Sequence, residues 1–546
     1  MSLTQNVQGD GAGIVSATTE RPVSRRRLLR GGLRGLGAAF GAVAGTAAAV
    51  RAKGSPPSVS ADVDPGSLTK KLVDRVTFGA TPGELALADS LGYNGYLEYQ
   101  LNSAAIPEDP LVTARLNGTT MASIHYTGEQ LYDPLVLASS AIAVSQLTDA
   151  FIFRATFSKR QLFEKMVEFW TDHLSIDITV DNAPYLKTLD DRNVIRTHAL
   201  GRFPDLLLAS AMSPAMLNYL DNDDSQVNAI NENYGRELLE LHTLGVDGGY
   251  TQADVVAVAR CLTGWDWYRG RSTPTNLRGT FRYQSTRHDN QSKTLSPLFN
   301  LANPTQPLII AAGGGMNDGM QILDILGRHP VTAGFIARKL CHKLIGEDCP
   351  QQVIDAVKAT YLNNGVGVIG DIKSMIRTAL APNILADASP RLKRPFHLFA
   401  SGMRGALRNA DDVATFSTLK TYYTKSGHLP FVWGPPDGYP DTTEYWSGQV
   451  LPRWNFGARL MCNSAGTTGG INGVTVDANV VLALFPTQTT RDQVVARIEQ
   501  IFFAGGMPTG ERASLTAFLP AAGALTATQK RDAVGLALDS PGFQWY

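Results

Sequence analysis

The chain has 546 residues, with 49 Lys plus Arg balanced by 49 Asp plus Glu, and 44% of it is hydrophobic. Charge balance argues against a nucleic-acid binder, which needs a basic surface. The length and apolar content allow a sizeable core in one large domain or two to three smaller ones.

The N-terminus reads as a twin-arginine export signal. Ser24-Arg25-Arg26-Arg27-Leu28-Leu29-Arg30 has the required basic and apolar order, residues 35–50 are Ala/Gly-rich, and Val50-Arg51-Ala52 offers small residues at the cleavage positions. Residues 1–52 are therefore expected to be a cleaved leader rather than an anchor, because their weakly apolar stretch falls short of the ~20 residues a bilayer requires. Cleavage leaves 494 residues and removes seven Arg with Asp10 and Glu20, so the mature chain carries a net charge of about −5. The pathway moves folded proteins, which predicts an exported protein that is periplasmic, on the cell surface or secreted. Its translocase is then an expected partner. No later run approaches 18 consecutive apolar residues.

Residues 53–66 are Pro/Ser/Gly-rich and read as a linker. Leu68, Leu72 and Val76 then recur at helical spacing, and Thr81-Pro82 with Glu84 gives the cap, first-turn proline and capping-box acid of a second helix. Apolar-periodic stretches fill 134–170 and 194–220, the latter interrupted at Pro204 and Pro214. Residues 266–320 lack a period and read as a long excursion with at most short strands. Helical pattern returns at 318–327, 330–346, 350–362 and 370–381, gives way to an irregular, aromatic-rich stretch at 425–456, and closes with helices near 490–503, 510–519 and 527–538. The expectation is a mainly α fold, one large helical domain over 67–546 with a C-terminal helical part from about 486. Cys261, Cys341, Cys349 and Cys462 show no zinc spacing. Cys341 and Cys349 read either as a short disulfide loop or as two free buried thiols.

The densest run of polar residues is NENYGRELLELHTLG at 231–245. At about 100° per residue, Asn233, Glu237 and Glu240 share one helical face with Arg236 beside them, whereas His242 projects about 140° away from Glu237. Two carboxylates one turn apart suit acid/base work, since repulsion and burial raise one pKa while an Arg lowers the other. The plain alternative is a solvated face with Arg236 paired to a nearby acid. Thr251 and Asp254 form a second capping box, and Trp265 reads as packing that could line a cleft. His288-Asp289 lies in the irregular excursion, where a purely structural reason is weaker, whereas His173 follows an apolar Phe-Trp pair as a core histidine would. In 422–454, Trp433, Tyr439 and Trp446 stand among Asp437, Asp441 and Glu444, as stacking and hydrogen bonding to sugar rings would require. Aromatics that merely fasten a loop would look the same.

Five motifs in order, RVTFGATPGE at 75–84, FWTDHLS at 169–175, the run from Asn231 to Trp265, HDNQSK at 288–293 and HPVTAGFIARKL at 329–340, resemble the bacterial family called domain of unknown function 1800. The resemblance covers most of the mature chain. It implies an exported, largely helical protein that commonly travels with a second exported family similar to sulfatases, and it implies no assigned activity. The family's polar signature falls on Trp170, His173, Asn231, Glu232, Asn233, Arg236, Glu237, Glu240, His242, His288, Asp289, Lys293, His329 and Lys339. His397 stands where an acidic residue is usual.

The reading favoured is a hydrolase acting on an envelope or extracellular glycan, with Glu237 and Glu240 as acid and base, or one of them paired with an Asp across a cleft, since glycosidic cleavage needs two carboxylates about 5 to 9 Å apart. His288 and Asp289 join this catalytic set, while Arg236, Asn233, His173, Trp433, Tyr439 and Trp446 bind substrate. Two rivals remain open: a hydrolase with a divalent metal held by His173, Glu237, Glu240, His288 and Asp289, and a non-enzymatic envelope assembly or glycan-binding protein.

Overall fold

The computed structural model describes residues 68–269, 274–462, 470–503 and 506–546. The leader, its cleavage site and the linker lie outside the described residues, as do Ser67 and Gly505. All described residues fall within one compact unit, Val59–Tyr546, and the fold is mainly helical.

Local sequence sets most helix starts. Thr81 accepts a hydrogen bond from the Glu84 amide and Pro82 opens the first turn of Pro82–Leu101. Thr251, Thr490 and Thr526 close capping boxes with Asp254, Gln493 and Gln529. The helices that frame the candidate site are α1 (Gln161–His173), α2 (Asn233–Glu237), α3 (Gln252–Cys261), α4 (Met316–Arg328), α5 (Pro330–Leu344) and α6 (Pro395–Ala406). His329 caps α5, its Nδ1 accepting from the Val331 amide at 3.1 Å.

Helix α2 does not continue with the α-helical period. Over Leu238–Thr243 it widens into a π turn, in which the Leu244 amide reaches back five residues to the Leu239 carbonyl at 2.8 Å. The Thr243 hydroxyl likewise bonds the Leu238 carbonyl at 2.6 Å. The regular wheel drawn from the sequence therefore fails after Glu237. Such insertions add a residue to a turn and recur at functional sites.

The excursion contains two small antiparallel pairs, as its composition predicts. β1 (Trp265–Trp267) pairs with β2 (Phe281–Tyr283), with Trp265 opposite Tyr283, and β3 (Lys293–Leu295) pairs with β4 (Leu308–Ile310). Trp265 and Trp267 are fully buried, so Trp265 is core rather than cleft wall. The core runs from the first helix through Trp170, Phe203, Leu340, Phe399 and Val534 to the C-terminal helices. Among the described residues no helix is long and apolar enough to cross a membrane.

Candidate functional site

Glu237 ends α2 and Glu240 lies in the π turn, both half-buried. Burial pushes the Glu237 carboxyl up to about 7; Glu240 adds like charge, Arg236 acts in the opposite sense, and Asp437 adds further repulsion. Asp437 comes from the aromatic-rich segment, 200 positions further along the chain, so that segment faces the carboxylates of α2. Arg236 donates to Glu232 at 3.1 Å and to Gln252 at 2.8 Å. Asn233 donates from Nδ2 to the Leu220 carbonyl at 3.2 Å. Both side chains are thus partly committed to holding the turn before α2.

The aromatic-rich segment is fastened to the end of α1 by a close approach. At Gly438 φ is +77°, and a Cβ there would sit 1.9 Å from the Asp172 carbonyl oxygen, so a glycine is required. Phe431 holds a φ of +67°, unusual for a bulky residue. Its carbonyl accepts from the Ile178 amide at 2.8 Å, and its ring packs 4.9 Å from that of Phe151. These anchors divide the aromatics into two sets. Tyr439 is buried, donating to the Leu429 carbonyl at 2.5 Å. Trp446 is buried, stacked on His428 at 4.7 Å and donating to the Pro440 carbonyl at 2.7 Å. Neither presents a free face, which corrects the expectation that they stack on substrate. Trp433 is half-buried with its indole N–H donating to Asp437 at 2.7 Å, and Tyr445 is exposed with its ring 6.0 Å from that of Trp433. Those two remain available to a ligand.

Behind Asp437 lies a second group of polar side chains. His173, at the end of α1, is buried; its Nε2 lies 3.1 Å from the His242 carbonyl. A carbonyl only accepts, so Nε2 carries the proton and Nδ1 accepts from Lys339 Nζ of α5 at 3.0 Å. Burial, with Lys339 and His242 beside it, holds His173 well below the usual imidazole range, hence neutral. His242 is likewise buried, its pKa brought down to about 3 by burial and by Lys339. Burial also draws the half-exposed Lys339 ammonium down to about 8, against the opposing pull of Asp172, Asp441 and Asp437. His173 is a satisfied interior histidine that positions Lys339, and its direct role in binding substrate is withdrawn.

The acids around Lys339 are tied to a buried ionic network. Glu168 of α1 meets Arg394, Lys343 at 2.6 Å and His397 at 2.8 Å. Although burial opposes it, Arg394, His397 and Lys343 keep Glu168 well below the carboxylate range. Arg394 also holds Asp172 at 2.8 Å, and Arg391 pairs with Asp441. Burial pushes Asp172 up to about 6, with Arg394 opposing and Glu168 reinforcing. His397, the departure from the family pattern, thus occupies a structural place, its Nδ1 lying 3.0 Å from the Tyr546 hydroxyl.

His288 and Asp289 belong elsewhere. His288 is buried, its Nδ1 donating to the Thr263 carbonyl at 2.8 Å and its Nε2 lying 3.2 Å from Asp318 of α4. Lys293 pairs with the same carboxylate. Asp289 accepts from Arg260 of α3 at 2.7 Å and from the Gln291 amide at 2.9 Å. These residues clamp the excursion onto α3 and α4, and the charges acting on Glu237 do not include them. Their assignment to the catalytic set is corrected: an irregular backbone has few ladder bonds, and here buried ion pairs replace them.

The metal-binding set is not assembled either, since His173 and His288 are spent on the partners just named. No group of three or more His, Cys, Asp or Glu among the described residues is placed to hold a metal ion. A cavity of about 700 Å³ lies apart, between Glu84, Tyr99, Lys159, Arg404, Arg408 and Arg497. Arg404 pairs with Glu84 at 2.5 Å and Arg408 with Asp412 at 2.6 Å, and the cavity contains none of the signature residues. The sequence reading missed Asp172, although FWTDHLS contains it, and missed Arg394 and Glu168. No linear pattern sets them apart: Glu168 and Asp172 lie in a helix that also carries Glu164 and Lys165, and Arg394 follows Arg391 and Lys393 just before α6.

The chain is a mainly helical protein, and its candidate site lies where an aromatic-rich segment approaches the end of α1, at Asp172, and the end of α2, at Glu237. The profile of the family described as Protein of unknown function (DUF1800) matches residues 71–545, and the chain belongs to that family. No curated protein and no solved structure matches it.

Proposed function

We propose that this protein is an exported hydrolase acting on an envelope or extracellular glycan, with Glu237 as the proton donor. The observation that carries the reading is the Glu237 carboxyl, raised to about 7 and faced by Asp437. A general acid must hold its proton near neutral pH yet release it in the transition state, and a carboxyl at about 7 meets both needs. Glycosidic cleavage needs a second carboxylate across the bond, and Asp437 or Glu240 supplies it. Trp433 and Tyr445 would bind a sugar ring beside them, as aromatic faces pack against its C–H surface. Arg236 would orient hydroxyl groups from the rim.

The test is a screen of the mature protein against envelope polysaccharides. Release of sugars by the native protein and its loss in Glu237→Gln support the reading; turnover undiminished in that variant rejects it. A second reading, a glycan-binding protein without turnover, is favoured by the solvent exposure of Tyr445 and Asp437, and binding without products in the same screen would select it. Export through the twin-arginine translocase is part of the proposal: replacing Arg25 and Arg26 by Lys should retain the protein in the cytoplasm. The proposed sulfatase-like exported partner is consistent with a glycan substrate, and no nucleic acid is involved.

A further inference from the structure

Half-exposed Lys339 differs from the buried lysines, of which Lys165 and Lys393 donate to backbone carbonyls and others meet carboxylates. Lys187 meets Asp190 at 2.6 Å, Lys343 meets Glu168 at 2.6 Å, and Lys293 meets Asp318. Lys339 Nζ instead bonds a neutral imidazole nitrogen, and no carboxylate lies within 4.0 Å of it among the described residues. Beside it His242 is buried with neither ring nitrogen hydrogen-bonded among the described residues, its ring 6.3 Å from that of His173. A buried polar ring with no partner, beside a half-exposed lysine, points to a polar group that binds there. The Phe335 ring lies 5.5 Å from Nζ and adds an apolar wall.

We propose that Lys339 is a reactive amine that condenses with an aldehyde or ketone reaching it from its exposed side, the open-chain form of a reducing sugar being one such compound. The ammonium first gives up a proton, and the Nζ lone pair attacks the carbonyl carbon. The oxygen takes up that proton and a second one from nitrogen and leaves as water. The product is a protonated imine, so one ammonium and one carbonyl give one iminium and one water. His173 Nδ1 points the lone pair and stays unprotonated, and His242 offers a hydrogen bond to the carbonyl oxygen. An amine near 8 supplies free base at neutral pH where an ordinary lysine does not. The acids facing it, Asp172, Asp437 and Asp441, keep it from falling further.

The proposal goes beyond glycan hydrolysis and does not depend on it. The test is reductive trapping: the mature protein is incubated with glycolaldehyde and cyanoborohydride at pH 7.5, and labelled lysines are located by peptide mass spectrometry. Lys339 should label on the order of a hundredfold faster than an exposed lysine with the ordinary pKa, from the difference in free-amine fraction. Its labelling should rise with pH to a plateau above about 8. A reducing oligosaccharide should label the same residue, its alditol should not, and an aldehyde-only result restricts the substrate to small carbonyls. Uniform labelling across lysines, or a Lys339 profile centred near 10.5, would overturn the proposal. His173→Asn, checked for folding by circular dichroism, should shift that profile, and an unshifted profile would also count against it. Because trapping needs no glycan cleavage, a negative polysaccharide screen leaves the result interpretable.

Discussion

Two regions of this molecule draw on the same stock of signature residues and use them in opposite ways. Around Asp318, each polar group is matched: His288 and Lys293 meet its carboxylate, and Arg260 meets Asp289. Around Asp437, by contrast, Lys339 meets no carboxylate and His242 no hydrogen-bond partner among the described residues, and Glu237 has its proton affinity raised by burial and by other acids. Buried groups in mutual satisfaction rigidify a fold, whereas strained proton affinities in an opening are the signature of chemistry. Polarity alone does not separate the two; completeness of pairing does.

The sharpest break of this comparison is chemical. Glu237→Gln should lower any glycan turnover by about 10²-fold to 10⁴-fold while the unfolding midpoint holds or rises, because the amide keeps the shape without the proton. Equal losses of turnover and stability would make Glu237 a structural acid. Asp318→Ala should do the reverse. It leaves Lys293 and His288 buried without their anion, a change that costs about 3–5 kcal/mol, readable as a shift of the denaturant midpoint. A midpoint close to that of the native protein would mean that the excursion is held by other contacts.

Smaller effects refine the division among the aromatics. Trp433→Ala should weaken glycan binding about tenfold with little change in stability, measured by titration calorimetry. Trp446→Ala, in the same segment, should instead lower the unfolding midpoint, since it empties a site stacked on His428. If both variants bind normally, the segment is not a recognition surface.

The smallest effect is on the pH dependence of stability. The folded pKa of Glu237 lies above its ordinary 4.5, at about 7. The folded state therefore holds the proton more tightly. The resulting contribution to stability is complete below pH 4.5 and is lost as pH rises through about 7. Comparing the thermal midpoints of the native protein and Glu237→Gln from pH 4 to 8 isolates this term, because other raised groups such as Asp172 are common to both. Parallel curves would mean that Glu237 titrates as it does in the unfolded chain.

Helix content and boundaries were open to the sequence because they rest on local rules. Thr81, Thr251 and Thr526 cap where their spacing to Glu84, Asp254 and Gln529 indicates, and the aperiodic excursion holds strands of three residues. Glu237 and the aromatic-rich segment were also within reach as candidates, since both belong to dense clusters. What escaped is where period or distance fails. The π turn at 238–243 follows from how α2 packs, not from a propensity a wheel can register. Whether Trp433 and Trp446 face solvent or core depends on anchors such as Gly438 against Asp172, which link segments more than 260 positions apart. The roles of His288 and Lys339 were decided by their partners. A histidine beside an aspartate in sequence and a lysine on a helix carry no mark of what they will meet, because pairing and desolvation are properties of three-dimensional neighbours. The sequence by itself determined a helical chain with a carboxylate-rich helix and an aromatic-rich segment; tertiary packing alone decided which charges were neutralised and which were left to act.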